Sequence, residues 1–393
     1  MLLALVLGAS PAHAAPASDQ DADAQVFPGL VATGPEHTCG VLSPDEVTCW
    51  GRGHVGQLGQ DSDQSIGDGI GPALDATAPV ALPGKVTAVA VGDLHSCALT
   101  SKGGVHCWGK GNDSRLGRRG THHVGDSSAH SVTQAPGVAL SGRATALAAG
   151  GDATCAVLAG GDVECWGRTS GPRPVALSGP ATTLDASAQQ SCAVLENGTV
   201  ECWLPGRAPQ RVTLGDTAAS VSVSDSSACA VLDGGEVECW TRGSDAVSQP
   251  LPHAAAAVSV ADEQSCAVIG AGDVWCWASG EDASDTGVQA VSLSVTSTSA
   301  CAVTTSSALL CWGDGAWGKL GHGDVDDRTP TLEIPAVPSS AVDTTTVSFG
   351  GGSAMSDDQH DGGLSPWWLT LLLLPCAGAV WWLRSRRPQG ERA

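Results

Sequence analysis

The sequence predicts an all-β protein of seven repeated units, about four short strands each, closed into a single ring. Three observations carry this expectation. Cysteines fall in seven pairs, always with nine residues between them: Cys39 and Cys49, Cys97 and Cys107, Cys155 and Cys165, Cys192 and Cys202, Cys229 and Cys239, Cys266 and Cys276, Cys301 and Cys311. A tryptophan follows the second cysteine each time, from Trp50 to Trp312. Before each pair runs a stretch of alternating apolar and small or polar residues, as in Val86 to Gly92 and Ala219 to Val223. Repetition of this kind sets the architecture, and 393 residues fit one ring as well as two ordinary domains.

Within one unit, Cys192 to Trp203, two apolar runs flank Glu196-Asn197-Gly198. A glycine there supplies the positive φ that a three-residue hairpin loop requires. Centring the loop on Asn197 pairs Leu195 with Thr199, Val194 with Val200 and Cys192 with Cys202. Opposed residues of a non-hydrogen-bonded pair have Cβ atoms roughly 4.5 Å apart, which suits a cross-strand disulfide. Buried free thiols and zinc are the alternatives, although zinc usually takes closer cysteine or histidine clusters. Successive side chains point to opposite faces of a strand, so each indole is expected to meet the sulfur face of the neighbouring sheet.

The first cysteines are spaced by 58, 58, 37, 37, 37 and 35 residues. The difference lies after the Trp-Gly step, where units one, two and seven carry long segments, Gly51 to Pro79, Gly109 to Pro136 and Gly313 to Pro330. These contain Gly56-Gln57-Leu58-Gly59, Arg115-Leu116-Gly117 and Gly318-Lys319-Leu320-Gly321. In a closed ring unit seven adjoins unit one, so the three long segments should form one raised crescent.

The pattern Cys-Ala-Leu, glycine turn, Val-x-Cys-Trp-Gly, Gly-Gln-Leu-Gly and a later Pro-x-x-Val resembles the regulator of chromosome condensation repeat. The resemblance implies a seven-bladed β-propeller of four-stranded blades over residues 29–352. Units three to six lack the Leu-Gly segment, and paired cysteines stand where the usual repeat has other residues. An eighth first-strand stretch, Thr346 to Gly350, suggests that the two ends join in one blade.

Outside the ring, residues 1–14 resemble a secretory signal without a basic start, and residues 15–28 read as an acidic linker. Residues 353–366 are a polar linker. Residues 367–383 are uncharged with tryptophan pairs at both ends, and residues 384–393 carry an arginine cluster, which together predict a transmembrane helix and a cytoplasmic tail. The same tail resembles bacterial surface-sorting signals, so the protein is expected to be exported and either anchored in the membrane or sorted to the cell surface.

A formal net charge of −22 repels phosphate backbones and argues against nucleic acid as a partner. No G-x-S-x-G, P-loop or H-E-x-x-H motif occurs, so the sequence predicts no enzyme, no cofactor and no metal. His54, His122, His123, His130 and His322 in the long segments read as loop histidines, and Asp61, Asp63 and Asp68 lack the glycine of a calcium loop. The expected function is binding of a protein or glycan at the cell surface by a monomeric ring. The candidate site lies on the crescent at Gln57, Asp61, Asp63, Arg115, Arg118, Arg119, Trp317 and Lys319, because loops on a rigid scaffold commonly carry binding. Guanine-nucleotide exchange on a small GTPase and inhibition of a secreted enzyme are the alternatives that the resemblance brings.

Overall fold

The two-stranded hairpin predicted from the cysteine spacing is the element from which the computed structural model is built, and the model describes residues 29–43, 46–168, 170–306 and 308–330. In unit four Cys192 lies opposite Cys202 and Val194 opposite Val200. The Leu195 amide donates to Thr199 at 2.8 Å, and Gly198 turns the chain at φ 75°. All seven pairs are disulfides, with Cα atoms 4.0 or 4.1 Å apart.

Each hairpin gains a strand on its N-terminal side, Ala218–Val223 beside Ser227–Leu232 for example. Units three, four and five add an outer fourth strand: Ser170–Val175, Gln210–Arg211 and Val247–Gln249. Units one, two and seven have only an isolated bridge in that place, at Gly51–Ile66, Gly109–Val124 and Gly313–Arg328. The long segment leaves the sheet to cover the end of the ring instead.

The ladders form six sheets where seven separate ones were expected. The cause is the twelve-residue strand Ser284–Val295, whose start pairs with Asp273–Ala278 and whose end pairs with Ser299–Thr304. The sixth spacing is two residues shorter than its predecessors, and this stretch has none of the prolines that precede the first strands of units four and six. With no room for a turn, the outer strand of unit six runs directly into the first strand of unit seven.

The first strands lie at the hub and are tied sideways. The residue opposite the first cysteine accepts a backbone N–H from the next first strand: Val223 N donates to Asp185 Oδ2 at 2.7 Å and Val260 N to Ser222 Oγ at 3.1 Å. Val295 N donates to Ser259 Oγ at 3.2 Å and Thr33 N to Ser294 Oγ at 3.0 Å. The last of these closes the ring, since Val31–Thr33 packs against Ser284–Val295 and Ser299–Thr304. In units one to three an alanine (Ala32, Ala90, Ala148), fully buried, takes this position, and close packing replaces the hydrogen bond.

Residues 346–350, expected to supply an eighth first strand, lie outside the described residues. So do the expected signal (1–14), both linkers, the expected membrane helix (367–383) and the tail. Among the described residues no helix is long and apolar enough to cross a membrane.

Candidate binding face

The long segments are anchored through their Leu-Gly steps. Trp108 of unit two donates its indole N–H to the carbonyl of Gln57 in unit one, at 3.0 Å. Trp166 of unit three donates to Arg115 of unit two at 3.0 Å, and Trp50 of unit one donates to Lys319 of unit seven at 2.9 Å. The leucines that follow, Leu58, Leu116 and Leu320, are fully buried. Gly59 then passes so near the next sheet, at φ 69°, that a Cβ would stand 2.9 Å from Trp108 Nε1. Each Leu-Gly step therefore plugs the gap between two adjacent sheets.

This geometry corrects the expected site at three positions. Gln57, Arg115 and Lys319 are 0%, 4% and 1% exposed, so their side chains face inward and hold the loops. Arg115 bridges Asp113 at 3.0 Å and Asp152 at 2.8 Å. The Lys319 ammonium donates to Pro35 O at 3.2 Å, to Asp314 at 2.9 Å and to Thr298 Oγ1. Burial would raise the Asp314 carboxyl, but the Ala316 N–H and the Lys319 ammonium outweigh it and hold that carboxyl below its usual range. Asp61 is half-buried and accepts Val132 N across the seam between segments, at 3.3 Å. Arg118, also half-buried, reaches Pro136 O at 2.8 Å. Asp63, Arg119 and Trp317 are exposed.

The segments do form one continuous band. Ser62 N donates to Gly125 O at 3.0 Å, and a Cβ on Gly67 or Gly69 would meet Gly318 O or Gly323 O at 3.2 and 3.0 Å. Four large apolar side chains are exposed among the described residues, and three of them, Ile70, Trp317 and Val325, lie on this band. Ile70 is 93% exposed, and the Arg52 guanidinium sits 4.2 Å over the Trp317 ring. The sequence reading passed over Ile70 and Val325, although an isoleucine placed between Gly69 and Gly71 in a loop was a signal within reach.

Three of the five loop histidines, His122, His123 and His130, line one cavity of unit two. His122 stacks on His130, which bonds Asp126 at 3.1 Å, while His123 accepts Gly111 N at 3.3 Å. Among the described residues no group of three or more potential metal ligands exists. Asp68 caps its own turn by accepting Ile70 N and Gly71 N.

The sequence profile described as Regulator of chromosome condensation (RCC1) repeat matches residues 45–99 and 86–115, which fall in units one and two. The chain is 34% identical over 145 residues to the Ultraviolet-B receptor UVR8 of Arabidopsis thaliana, covering 35% of this chain and 29% of that protein. It spans about a third of the length of the curated relatives it matches first. In fold it resembles Prp20p of Saccharomyces cerevisiae, with a TM-score of 0.62 and 16% identity over 75% of this chain and 87% of that one. It also resembles the ectodomain of the receptor kinase ACR4 of Arabidopsis thaliana, with a TM-score of 0.50 and 17% identity over 78% of this chain and 98% of that one.

Proposed function

From the premise that this chain is an RCC1-repeat β-propeller, we propose that it is an exported, non-enzymatic binding module that holds a protein or glycan at the cell surface on the band formed by units one, two and seven. The observation that carries this reading is the exposure of Ile70, Trp317 and Val325 together on one raised rim. Exposed apolar side chains grouped in this way mark interaction surfaces, and tryptophan is a frequent anchor of binding energy. We count seven wedges in the ring, one per disulfide hairpin, with the six-stranded sheet supplying two. Seven disulfides support an oxidising compartment, and residues 367–383 are the proposed anchor.

The test is capture of partners from the producing cell's surroundings by the immobilised chain. Ile70→Asp combined with Trp317→Ala should reduce capture at least about tenfold, the scale of a lost anchor residue, while leaving the melting temperature unchanged. Undiminished capture would remove the band as the site. Deleting residues 112–130 is the poorer test, because it removes Leu116 and the carbonyl that Trp166 needs. Cell fractionation separates this reading from the exchange-factor one, which requires the cytosol.

A further inference from the structure

We infer that the two clefts beside Trp203 and Trp240 are docking sites for an acidic peptide segment of a partner protein, a segment that supplies the Leu-Gly step these units lack. Wherever a unit carries a long segment, the next sheet's indole N–H is met by a backbone carbonyl, and a leucine and a glycine fill the gap behind it. Units three and four have been cut short at that place, and their gaps are open. Trp203 faces a cleft of about 440 Å³ beside the unit-three segment, and Trp240 faces one of about 710 Å³ beside the unit-four segment. Volumes of this size suit a few residues of a ligand.

The indoles show what is missing. Trp203 and Trp240 are each 8% exposed, and among the described residues neither N–H has an acceptor. An indole N–H is only a donor, so an unmatched one aimed into a cleft calls for an acceptor from outside. The plugs of units one, two and seven show which acceptor fits: a main-chain carbonyl, with an aliphatic side chain after it and then a residue without Cβ.

Charge selects the rest of the ligand. Between Arg143 and Lys319 the chain has only five basic residues, and all five line these clefts. Arg168 and Arg173 border the first, Arg211 and Arg242 the second, and Arg207 both. None of the five makes an ion pair among the described residues, and Arg168 Nε is buried without a partner. Asp245 is the one carboxylate lining the larger cleft, and the smaller has none. In a chain of net charge −22 this is a local reversal of sign, and it favours carboxylates on either side of the leucine.

This site is separate from the rim of units one, two and seven, and the experiment keeps the two apart. The probe is a blocked hexapeptide, Asp-Glu-Leu-Gly-Asp-Glu, titrated into the full chain while the indole N–H resonances are followed by NMR, with Trp203→Phe and Trp240→Phe identifying the two signals. Binding should half-saturate below about 1 mM and move the Trp203 and Trp240 signals but not those of Trp50 and Trp108, which line neither cleft. Arg207→Glu with Arg211→Glu, both at exposed positions, should weaken binding at least about tenfold, whereas Ile70→Asp should leave it unchanged. The inference falls if the two indole signals stay put, if a Lys-Lys-Leu-Gly-Lys-Lys peptide binds equally well, or if an acidic oligosaccharide displaces the peptide and a Leu→Ser version binds as tightly as the original.

Discussion

Reducing the seven disulfides at neutral pH unfolds the ring, and they open in an order set by the clefts. Each bond closes a loop with a sequence separation of 10, for which chain-entropy arguments give about 2.7 kcal/mol. Seven such contributions exceed the roughly 5–15 kcal/mol by which a domain is ordinarily stable. The hub adds little bulk of its own, since in units one to three it is lined by alanines, and the packing between sheets rests on one buried tryptophan per unit that the hairpin disulfide helps to hold in register. Access differs between units. Cys165, Cys202 and Cys239 are half-buried beside the short segments, whereas both cysteines of units one, two and seven lie at or below 2% exposure. Limited reduction followed by alkylation and mass spectrometry should therefore label 155/165, 192/202 and 229/239 first, with loss of β-sheet circular dichroism following. Early labelling of 39/49, or a chain that keeps its spectrum when fully reduced, would contradict this.

The parts of the fold that the sequence made legible are those fixed by covalent chemistry and local turns. Nine residues between cysteines, with a glycine near the middle in units two to six, fit one hairpin register, and that register is found at every unit, including units one and seven, which turn without such a glycine. Adjacency of the long segments followed from ring closure alone. What could not be read was the direction of long side chains in those segments. Gln57, Arg115 and Lys319 look like surface residues in a polar loop, yet the carbonyl of each is claimed by the next tryptophan, and this turns the side chain inward. A strand shared between two units was equally hidden, because it depends on two missing residues rather than on any residue present. The clefts were hidden for a similar reason: they arise where a repeated element is absent, so they become visible only when the filled gaps show what belongs there.

Acidification should destabilise the protein well above the pH at which carboxylates titrate, and two histidines are responsible. His37 and His95 are wholly buried, and burial first, with the positive charge of neighbouring side chains second, lowers each to about 3 from an ordinary 6.5. The hydrogen bonds explain why they stay neutral. Ser96 Oγ donates its single hydrogen to Gln57 O at 2.9 Å, so His37 Nε2, 2.8 Å away, must be the donor to that oxygen. His37 Nδ1 is left buried with no partner, and a proton placed there would find no acceptor. His95 Nε2 lies 2.8 Å from Thr154 Oγ1, and its Nδ1 is likewise buried without a partner. The unfolded chain takes up these protons near pH 6.5 while the folded chain refuses them until about pH 3, so their contribution to stability is intact above 6.5 and declines as pH falls through that window. Two such groups remove about 2.7 kcal/mol per pH unit between about pH 6 and pH 4. Asp185 acts in the opposite sense: its burial raises the carboxyl despite three donors, so the cost of holding its charge is relieved on acidification. Burial raises the Asp93 carboxyl in the same direction, while His54 and His106, both lowered by burial, reinforce the two buried histidines, so the carboxyls offset only part of the effect. Urea midpoints measured at pH 7, 5 and 4 should fall steeply for the native chain and much less for a His37→Gln, His95→Gln variant, even though that variant starts from a lower stability at pH 7. Equal slopes for the two would mean that the buried histidines are not what makes the ring acid-labile.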